Sequence, residues 1–458
     1  MNDLTQGSVV KHLVQMASFL AASMVVQTLY LLADLYWVGH LGKEALAAVG
    51  VAGNLTMIIV ALTQMLGVGT TALIAQATGR KDQPQAELVL NQSLVMSIAI
   101  AIFLGVIGFA VRAPYSDALS ADATTADLAR SYLLWFIPGL LLQFPLVSLG
   151  SALRATGIVK PAVALQVLSV VLNMILAPLL VFGLLGLPRL GVTGAALATF
   201  ISILIADVLL LVYFEKKYHY LRLRASLWRP RLKTWWEMLR IGLPAGAEFG
   251  LLFVYIVIVY GIIRDFGPAA QAGFGVGARV MQALFLPVVA LSFALSPVVG
   301  QNFGGRHGDR VRQSVTAAIG LTCGIMLVLA LLAHYAPAIL VRGFSRDPRV
   351  IAFGSEYQRI VALNFIAAGI VFSSSSVFQG LGNTMPPLLS SLTRLFLFAL
   401  PALWLSHRAG FEIRSVWDLS VASQIFQACL NLFPLGRELR RKLVFPPPGG
   451  WVPGAAVS

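Results

Sequence analysis

Long apolar runs recur along this chain and restrict what it can fold into. Each run is about 20 residues long, enough to cross a hydrocarbon layer of about 30 Å as a helix. The composition agrees, since 58% of the residues are hydrophobic and 11% are charged, with a mean hydropathy of +0.83. We predict an all-α polytopic membrane protein with about twelve transmembrane helices. The predicted spans are residues 9–38, 45–75, 87–111, 128–152, 160–183, 191–214, 236–263, 270–300, 313–341, 351–379, 386–406 and 414–435.

The basic residues indicate how the spans are oriented. Alternate connections are rich in Lys and Arg, whereas the intervening ones carry acids such as Asp117 and Asp127. By the positive-inside rule, the basic connections and both termini are cytoplasmic, in a cytoplasmic (inner) membrane. The net charge of +14 is therefore a topology signal, and we expect no nucleic-acid partner. The basic connections contain Arg80, Lys81, Arg154, Lys160, Arg306, Arg310, Arg312 and the stretch 215–233.

An internal repeat relates the two halves of the chain at one fixed offset. Gly42 corresponds to Gly267 and Gln76 to Gln301, both 225 positions apart. The same shift joins Tyr132 to Tyr357, Gly157 to Gly382 and Pro161 to Pro386. Because each half has an even number of spans, the repeat is parallel, as in transporters that rock two lobes about a central cavity. The predicted domains are an amino-terminal six-helix lobe (1–214), a basic linker (215–233), a carboxy-terminal six-helix lobe (234–436) and a basic tail (437–458).

The first span contains a carboxylate inside an apolar segment. Gln27, Tyr30 and Asp34 follow an i, i+3, i+7 spacing, so they share one helix face. An intramembrane acid is costly and is a functional candidate by default. A buried Asp that only ties two helices together is the alternative.

The order and spacing of several short segments resemble those of the multidrug and toxic compound extrusion (MATE) transporters. That family belongs to a superfamily that also contains lipid-linked oligosaccharide flippases, and the resemblance covers nearly the whole chain. The matching segments are residues 29–34, 38–42, 45–50, 152–157, 160–161, 172–173, 191–199, 278–280, 295–302 with 304, and 378–383 with 386.

The resemblance implies a V-shaped pair of lobes and secondary active efflux of amphipathic, often cationic, compounds by proton or sodium antiport. It places ion coupling at Asp34, with Tyr30, Gln27, Asn173 and Thr199 as partners. The expected partners are the lipid bilayer and small-molecule substrates, the chain is expected to act as a monomer, and no cofactor is implied. A flippase or exporter of a lipid-linked or anionic substrate is the alternative.

Two positions depart from the family pattern. A second family Asp would stand at position 177, where this chain has Ala177, and the family proline of the first helix would stand at Phe19. Its repeat-related proline, Pro244, is present. Since sodium needs several oxygen ligands and one acid is missing, we favour protons, with Asp34 titrating among uncharged partners.

The carboxy-terminal half carries three charges at membrane depth: Glu248, Arg279 and Arg394. They either line a substrate cavity or stabilise the lobe, and we expect Glu248 to pair with one of the arginines, because an unpaired buried charge is costly. Asp207 lies towards the cytoplasmic end of its span, where we expect it to snorkel to the interface.

The sequence contains no residue pattern typical of a metal site or an enzyme. The six histidines form no ligand set, Cys323 and Cys429 lie in apolar runs, and no catalytic or phosphate-loop motif is present. We therefore expect a protein without metal or cofactor, and a membrane-embedded enzyme is disfavoured.

Overall fold

The computed structural model describes residues 2–408 and 410–445, except for the side chains of residues 30–35. The described chain consists of helices and connecting turns, with short 3-10 segments at Leu184–Gly186, Ala225–Leu227, Arg264–Phe266 and Ala362–Asn364. The prediction of an all-α membrane protein is confirmed. The helices are α1 (Val9–Gly39), α2 (Lys43–Gly79), α3 (Gln83–Leu119), α4 (Ala123–Leu141), α5 (Gln143–Ala155), α6 (Lys160–Phe182), α7 (Val192–Lys216), α8 (Leu232–Ile263), α9 (Pro268–Gly304), α10 (Gly308–Tyr335), α11 (Pro337–Arg342), α12 (Pro348–Val361), α13 (Phe365–Gly380), α14 (Met385–Ser406) and α15 (Ile413–Lys442).

Eleven segments of the described chain are long and apolar enough to cross a membrane. The twelfth predicted span falls on α15, which is 30 residues long but has a mean hydropathy too low for that group because it carries several polar side chains. Two predicted spans are each built from two helices. The fourth breaks between α4 and α5 at Leu142, after Pro138, and the tenth breaks between α12 and α13 at Ala362–Asn364.

The backbone reproduces the sequence repeat. Helix α2 (Lys43–Gly79) and helix α9 (Pro268–Gly304) begin and end 225 residues apart, and the starts of α3, α4 and α6 match those of α10, α12 and α14 at the same shift. Unusual backbone angles are repeated too. Lys81 and Arg306 have φ values of 60° and 61°, and Gly157 and Gly382 have values of 76° and 73°. The parallel repeat is therefore confirmed in three dimensions, whereas the exact domain boundaries stay a prediction.

The two halves meet where α2 and α9 end. We call this the basic end, defined by Arg80, Lys81, Arg306 and Arg310. The Gln76 amide donates to the Gly380 carbonyl (2.9 Å), and its repeat counterpart Gln301 donates to the Ala155 carbonyl (2.7 Å). The closure of the basic end is thus pseudo-symmetric, with each half supplying one glutamine.

Glycines allow the helices to approach closely at this crossing. A Cβ on Gly79 would lie 2.7 Å from the Gln301 carbonyl carbon, and a Cβ on its counterpart Gly304 would lie 2.8 Å from the Gln76 carbonyl carbon. Both distances are far below the ~3.5 Å of an ordinary carbon–carbon contact. Glycine is therefore required at both positions in this arrangement.

Further contacts between the halves extend from the basic end towards the middle of the helices. A Cβ on Gly246 would lie 2.8 Å from the Ala61 carbonyl oxygen, so α8 crosses α2 closely there. The first half of α1 packs on α9 through a cluster that includes Leu13, Met16 and Leu295. Towards the other end, by contrast, a Cβ on Gly50, Gly53 or Gly250 would meet no atom of the described chain within 4 Å. Within the described chain, the close approaches between the halves therefore run from the basic end to about the middle of α2 and α8, and none occurs at Gly50, Gly53 or Gly250.

Candidate functional site

Asn173 and Thr199, predicted as coupling partners, lie together between α6 and α7. The Asn173 amide donates to the Thr199 hydroxyl (3.0 Å), and that hydroxyl donates to the Ala195 carbonyl one turn earlier (3.2 Å). Both side chains are buried, with 3% and 7% of their surface exposed. A buried amide and hydroxyl held in this way form an uncharged polar pair inside an apolar lobe.

The predicted residues Tyr30 and Asp34 belong to α1, but their side chains lie outside the described residues. The neighbouring positions show where this part of α1 runs. Trp37 packs on a cluster containing Ala177 and Ala198, and Val38 packs on a cluster containing Ala195. The carboxy-terminal part of α1 thus lies against the stretches of α6 and α7 that carry the polar pair. Gln27, one of the predicted partners, is exposed.

The two departures from the family pattern have clear local environments. Ala177 is fully buried and packs on Leu180 and Ala198, so this position is filled by apolar side chains. Phe19 is half-buried, and the Lys160 ammonium lies 5.1 Å from the centre of its ring. Helix α1 continues through Phe19 without a break.

Asp207 does not reach the membrane interface as we expected from the sequence. Its side chain is 4% exposed, and neither carboxylate oxygen has a hydrogen-bond partner among the described residues. The prediction was wrong because position along a span gives only depth in the membrane. Which face of α7 carries Asp207 decides its burial, and that face is packed.

A partly buried polar network surrounds Glu248 in the carboxy-terminal half. Its carboxylate accepts hydrogen bonds from Ser375 (2.9 Å) and Ser391 (3.5 Å). The Gln427 amide donates to the Ser391 hydroxyl (2.8 Å), which connects the acid to α15. The side-chain oxygen of Gln427 and both side-chain polar atoms of Asn431, one turn further along α15, are buried and have no hydrogen-bond partner in the described chain. The network therefore has an unused acceptor, the side-chain oxygen of Gln427.

The expected ion pair between Glu248 and an arginine is not formed. Within the part of the chain that the structure describes, no salt bridge or hydrogen bond joins Glu248 to Arg279 or Arg394. The guanidinium of Arg394 instead lies 4.8 Å from the ring centre of Tyr255. Arg279 is exposed on α9. Glu248 is therefore stabilised by hydrogen bonds from two serine hydroxyls instead of by an arginine. Arg394 is stabilised by a cation–π contact with Tyr255 instead of by a carboxylate.

The partners of Glu248 were missed by reasoning from the sequence, although the repeat contains a signal. Position 248 corresponds to Ser23 and position 391 to Gln166, each by 225 residues. The Ser23 hydroxyl donates to the Gln166 amide oxygen (2.7 Å), so the two halves have the same helix-to-helix contact. The contact is neutral in one half and contains an acid in the other. Among the described residues, no three His, Cys, Asp or Glu side chains are placed to hold a metal ion.

Comparison with known proteins assigns the chain to a family. The MatE family model matches residues 20–179 and 244–405, which cover both repeats. The chain is 28% identical to an FAD transporter of Shewanella oneidensis over 81% of this chain and 82% of that protein. It is 26% identical to the probable multidrug resistance protein NorM of Thermotoga maritima, over 92% and 91% of the two chains.

Solved structures show the same fold. The structure of an outward-facing multidrug resistance MATE family transporter of the MOP superfamily aligns with a TM-score of 0.88 at 23% identity, covering 96% of this chain and 98% of that one. A MOP superfamily transporter from Pyrococcus furiosus, described as having a binding pocket of reverse polarity, aligns with a TM-score of 0.87 at 25% identity. It covers the same shares of the two chains.

Proposed function

Since the chain belongs to the MatE family of membrane transporters, we propose that it exports small amphipathic, mainly cationic compounds by cation antiport. The observation that carries the proposal is the pseudo-symmetric closure of the two halves at one end, made by Gln76 and Gln301. Two similar halves that touch at one end and part at the other can expose a central site to either side in turn. Homologues named as multidrug resistance proteins support the substrate class.

The proposed orientation places the basic end in the cytoplasm. The connections at that end carry Arg80, Lys81, Arg306 and Arg310, and cytoplasmic loops are enriched in Lys and Arg. The protein is then a multi-pass protein of the cytoplasmic membrane that is closed inside and open outside. In this arrangement substrate leaves and the coupling ion enters from outside. We propose that one chain suffices for this cycle.

For ion coupling we propose Asp34, assisted by Tyr30, Gln27, Asn173 and Thr199. The packing of Trp37 against α6 and α7 supports this placement, because it brings that part of α1 next to the buried Asn173–Thr199 pair. An uncharged amide and hydroxyl can stabilise a carboxylate without fixing its charge, so the group can bind and release a proton. Ala177 packs among apolar side chains and supplies no oxygen ligand for sodium. We therefore favour protons as the coupling ion.

The test is transport by the purified protein in proteoliposomes with a cationic dye, under a pH gradient or a sodium gradient imposed separately. We expect dye movement with the pH gradient, and we expect Asp34→Asn to abolish dye-dependent proton exchange while the protein stays folded. Asp127→Asn is the matched control, since Asp127 is an exposed acid near the start of α4, away from the proposed coupling site. Full exchange by Asp34→Asn would refute the coupling role.

A second candidate function, export of anionic compounds, has an observation in its favour. Arg279 is exposed on α9, and the described part of the chain contains no acidic partner for it. One relative is named as an FAD transporter, and FAD carries a negatively charged pyrophosphate. Competition between the cationic dye and FAD in the same vesicles separates the two functions. Inhibition by FAD that is lost in Arg279→Gln would favour the anionic substrate.

A further inference from the structure

Residues 2–7 lie between the two halves at the basic end and bond to both. The backbone amide of Asn2 donates to the Thr156 carbonyl of the amino-terminal half (2.9 Å). Two residues later, the Leu4 amide donates to the Gln301 side-chain oxygen of the carboxy-terminal half (3.0 Å). The Leu4 side chain is fully buried in the cluster that joins α1 and α9. A short segment thus bridges the closed interface.

Arg310 and Asn302 hold this segment from the carboxy-terminal side. The Arg310 guanidinium donates to the carbonyl oxygens of Leu4 (3.4 Å) and Gly7 (3.0 Å), and the Asn302 amide donates to the same Leu4 carbonyl (3.2 Å). The Arg310 guanidinium also donates to the Asn302 amide oxygen (3.0 Å), which fixes the two side chains relative to each other. Hydrogen bonds from a charged donor are stronger than neutral ones, so Arg310 contributes most to this grip.

The repeat shows that the binding of residues 2–7 by Arg310 and Asn302 is separate from the contacts that close the basic end. Gln76 and Gln301 are repeat counterparts, and both bond to a carbonyl of the opposite half. By contrast, the counterpart of Asn302 is Ala77 and the counterpart of Arg310 is Gln85. Only the carboxy-terminal half therefore has an amide and a guanidinium side chain at these positions to bind the segment. These two residues add a one-sided contact to an otherwise symmetric interface.

We propose that residues 2–7 form a latch that holds the basic end closed and must leave Asn302 and Arg310 before the two halves can part there. If the halves separate, the bonds of Asn2 to Thr156 and of Leu4 to Gln301 cannot both persist, because they belong to opposite halves. Separation also exposes the apolar Leu4 side chain to water. The latch therefore favours the arrangement closed at the basic end. This inference rests on the proposed alternating-access cycle.

The test measures opening of the basic end directly, without substrate. Spin labels on cysteines at Lys216 and Arg440, both exposed on the last helix of each half, report the distance across that end. The native Cys323 and Cys429 are replaced by alanine in all samples. The latch variants are Arg310→Gln and Asn302→Ala, which introduce the residue types of the repeat counterparts, and deletion of residues 2–7. The control is Arg312→Gln, an exposed arginine two positions away.

We expect the ratio of long to short distances to rise about tenfold in Arg310→Gln, the effect of losing hydrogen bonds from a charged donor. Asn302→Ala is expected to raise it less, and Arg312→Gln to leave it unchanged. If the deletion variant does not fold, the two point variants decide. Distances in Arg310→Gln and Asn302→Ala that match those of the control would overturn the latch. Because no substrate or ion gradient is present, that result would leave the proposed transport function untouched.

Discussion

The glycines at the crossing of α2 and α9 allow a quantitative prediction about the closed basic end. Gly79→Ala places a Cβ 2.7 Å from the Gln301 carbonyl carbon and 2.9 Å from the Gln301 Cα. Against an ordinary contact distance of about 3.5 Å, the shortfall is about 0.8 Å. Backbone atoms cannot rotate out of the way as a flexible side chain could, so the two helices themselves must move apart.

We expect this overpacking to cost the closed arrangement about 1–3 kcal/mol, which shifts the equilibrium towards the arrangement open at the basic end by about 5- to 150-fold. Gly304→Ala is expected to have the same effect, since its Cβ would lie 2.8 Å from the Gln76 carbonyl carbon. The spin-label pair at Lys216 and Arg440 measures the shift. Thermal unfolding of the same samples shows whether the variants remain folded.

Gly53→Ala is the matched control because it lies in the same helix and its Cβ would have no described neighbour within 4 Å. Alanine favours a helix over glycine by about 0.5–1 kcal/mol, so the control is expected to be neutral or slightly stabilising. If Gly79→Ala and Gly53→Ala have the same distribution of spin-label distances, the predicted effect of overpacking at the crossing of α2 and α9 is refuted. That result would mean that the close crossing does not limit opening.

Three further predictions concern buried or partly buried acids. Glu248→Ala is expected to lower the free energy of unfolding by about 1–3 kcal/mol, because it leaves the buried Ser375 donor unpaired. Glu248→Gln is expected to lower it by less. Altered ion selectivity in Glu248→Gln at unchanged thermal stability would contradict this structural role. Asp207→Leu is expected to raise the melting temperature, because an apolar side chain replaces a buried acid that has no hydrogen-bond partner among the described residues. Loss of transport in that variant would instead indicate a functional acid. Burial alone would raise the pKa of Asp3, but hydrogen bonds from Thr5 and the positive charge of Lys81 hold it below its usual value. The charged form of Asp3 therefore stabilises the segment at residues 2–7 above about pH 4, and this contribution is lost as the pH falls through the lowered pKa. The spin-label distances across the basic end are expected to lengthen in acid. Asp3→Asn is expected to remove that response.

The helices and the repeat could be predicted from the sequence because both depend on local patterns. Apolar runs determine where spans lie, and one offset of 225 residues matches helix ends and positive φ angles alike. The breaks near Leu142 and at Ala362–Asn364 were not predicted, since each lies inside an unbroken apolar run. Apolar composition reports burial in lipid, whereas a break in a helix depends on backbone hydrogen bonds.

The polar partners at the candidate site were harder to predict than the helices. The hydrogen bond between Asn173 and Thr199 joins two residues that family resemblance had already placed together. Glu248, however, accepts hydrogen bonds from Ser375 and Ser391, which lie 127 and 143 positions further along the chain. From the sequence we expected an arginine partner instead, because an unpaired buried charge is costly. Two serine hydroxyls can take the place of a cation as partners of a carboxylate, and the packing of α8, α13 and α14 decides which partners are within reach.

The repeat explains why chemistry can differ between halves that share one architecture. The contact between Ser23 and Gln166 and the contact between Glu248 and Ser391 use equivalent positions, so the frame needs a polar pair there but no charge. The same holds at the basic end, where Gln76 and Gln301 are equivalent but only Gln301 also binds Leu4. Because the repeat is parallel, its operation exchanges the two halves and leaves the two ends of the molecule distinct, so even a symmetric pair of halves can favour one end over the other. The segment at residues 2–7 adds to such a preference at the basic end, because it binds Gln301, Asn302 and Arg310 there. Glu248 instead makes the halves chemically different, since its bonds to Ser375 and Ser391 lie within one half.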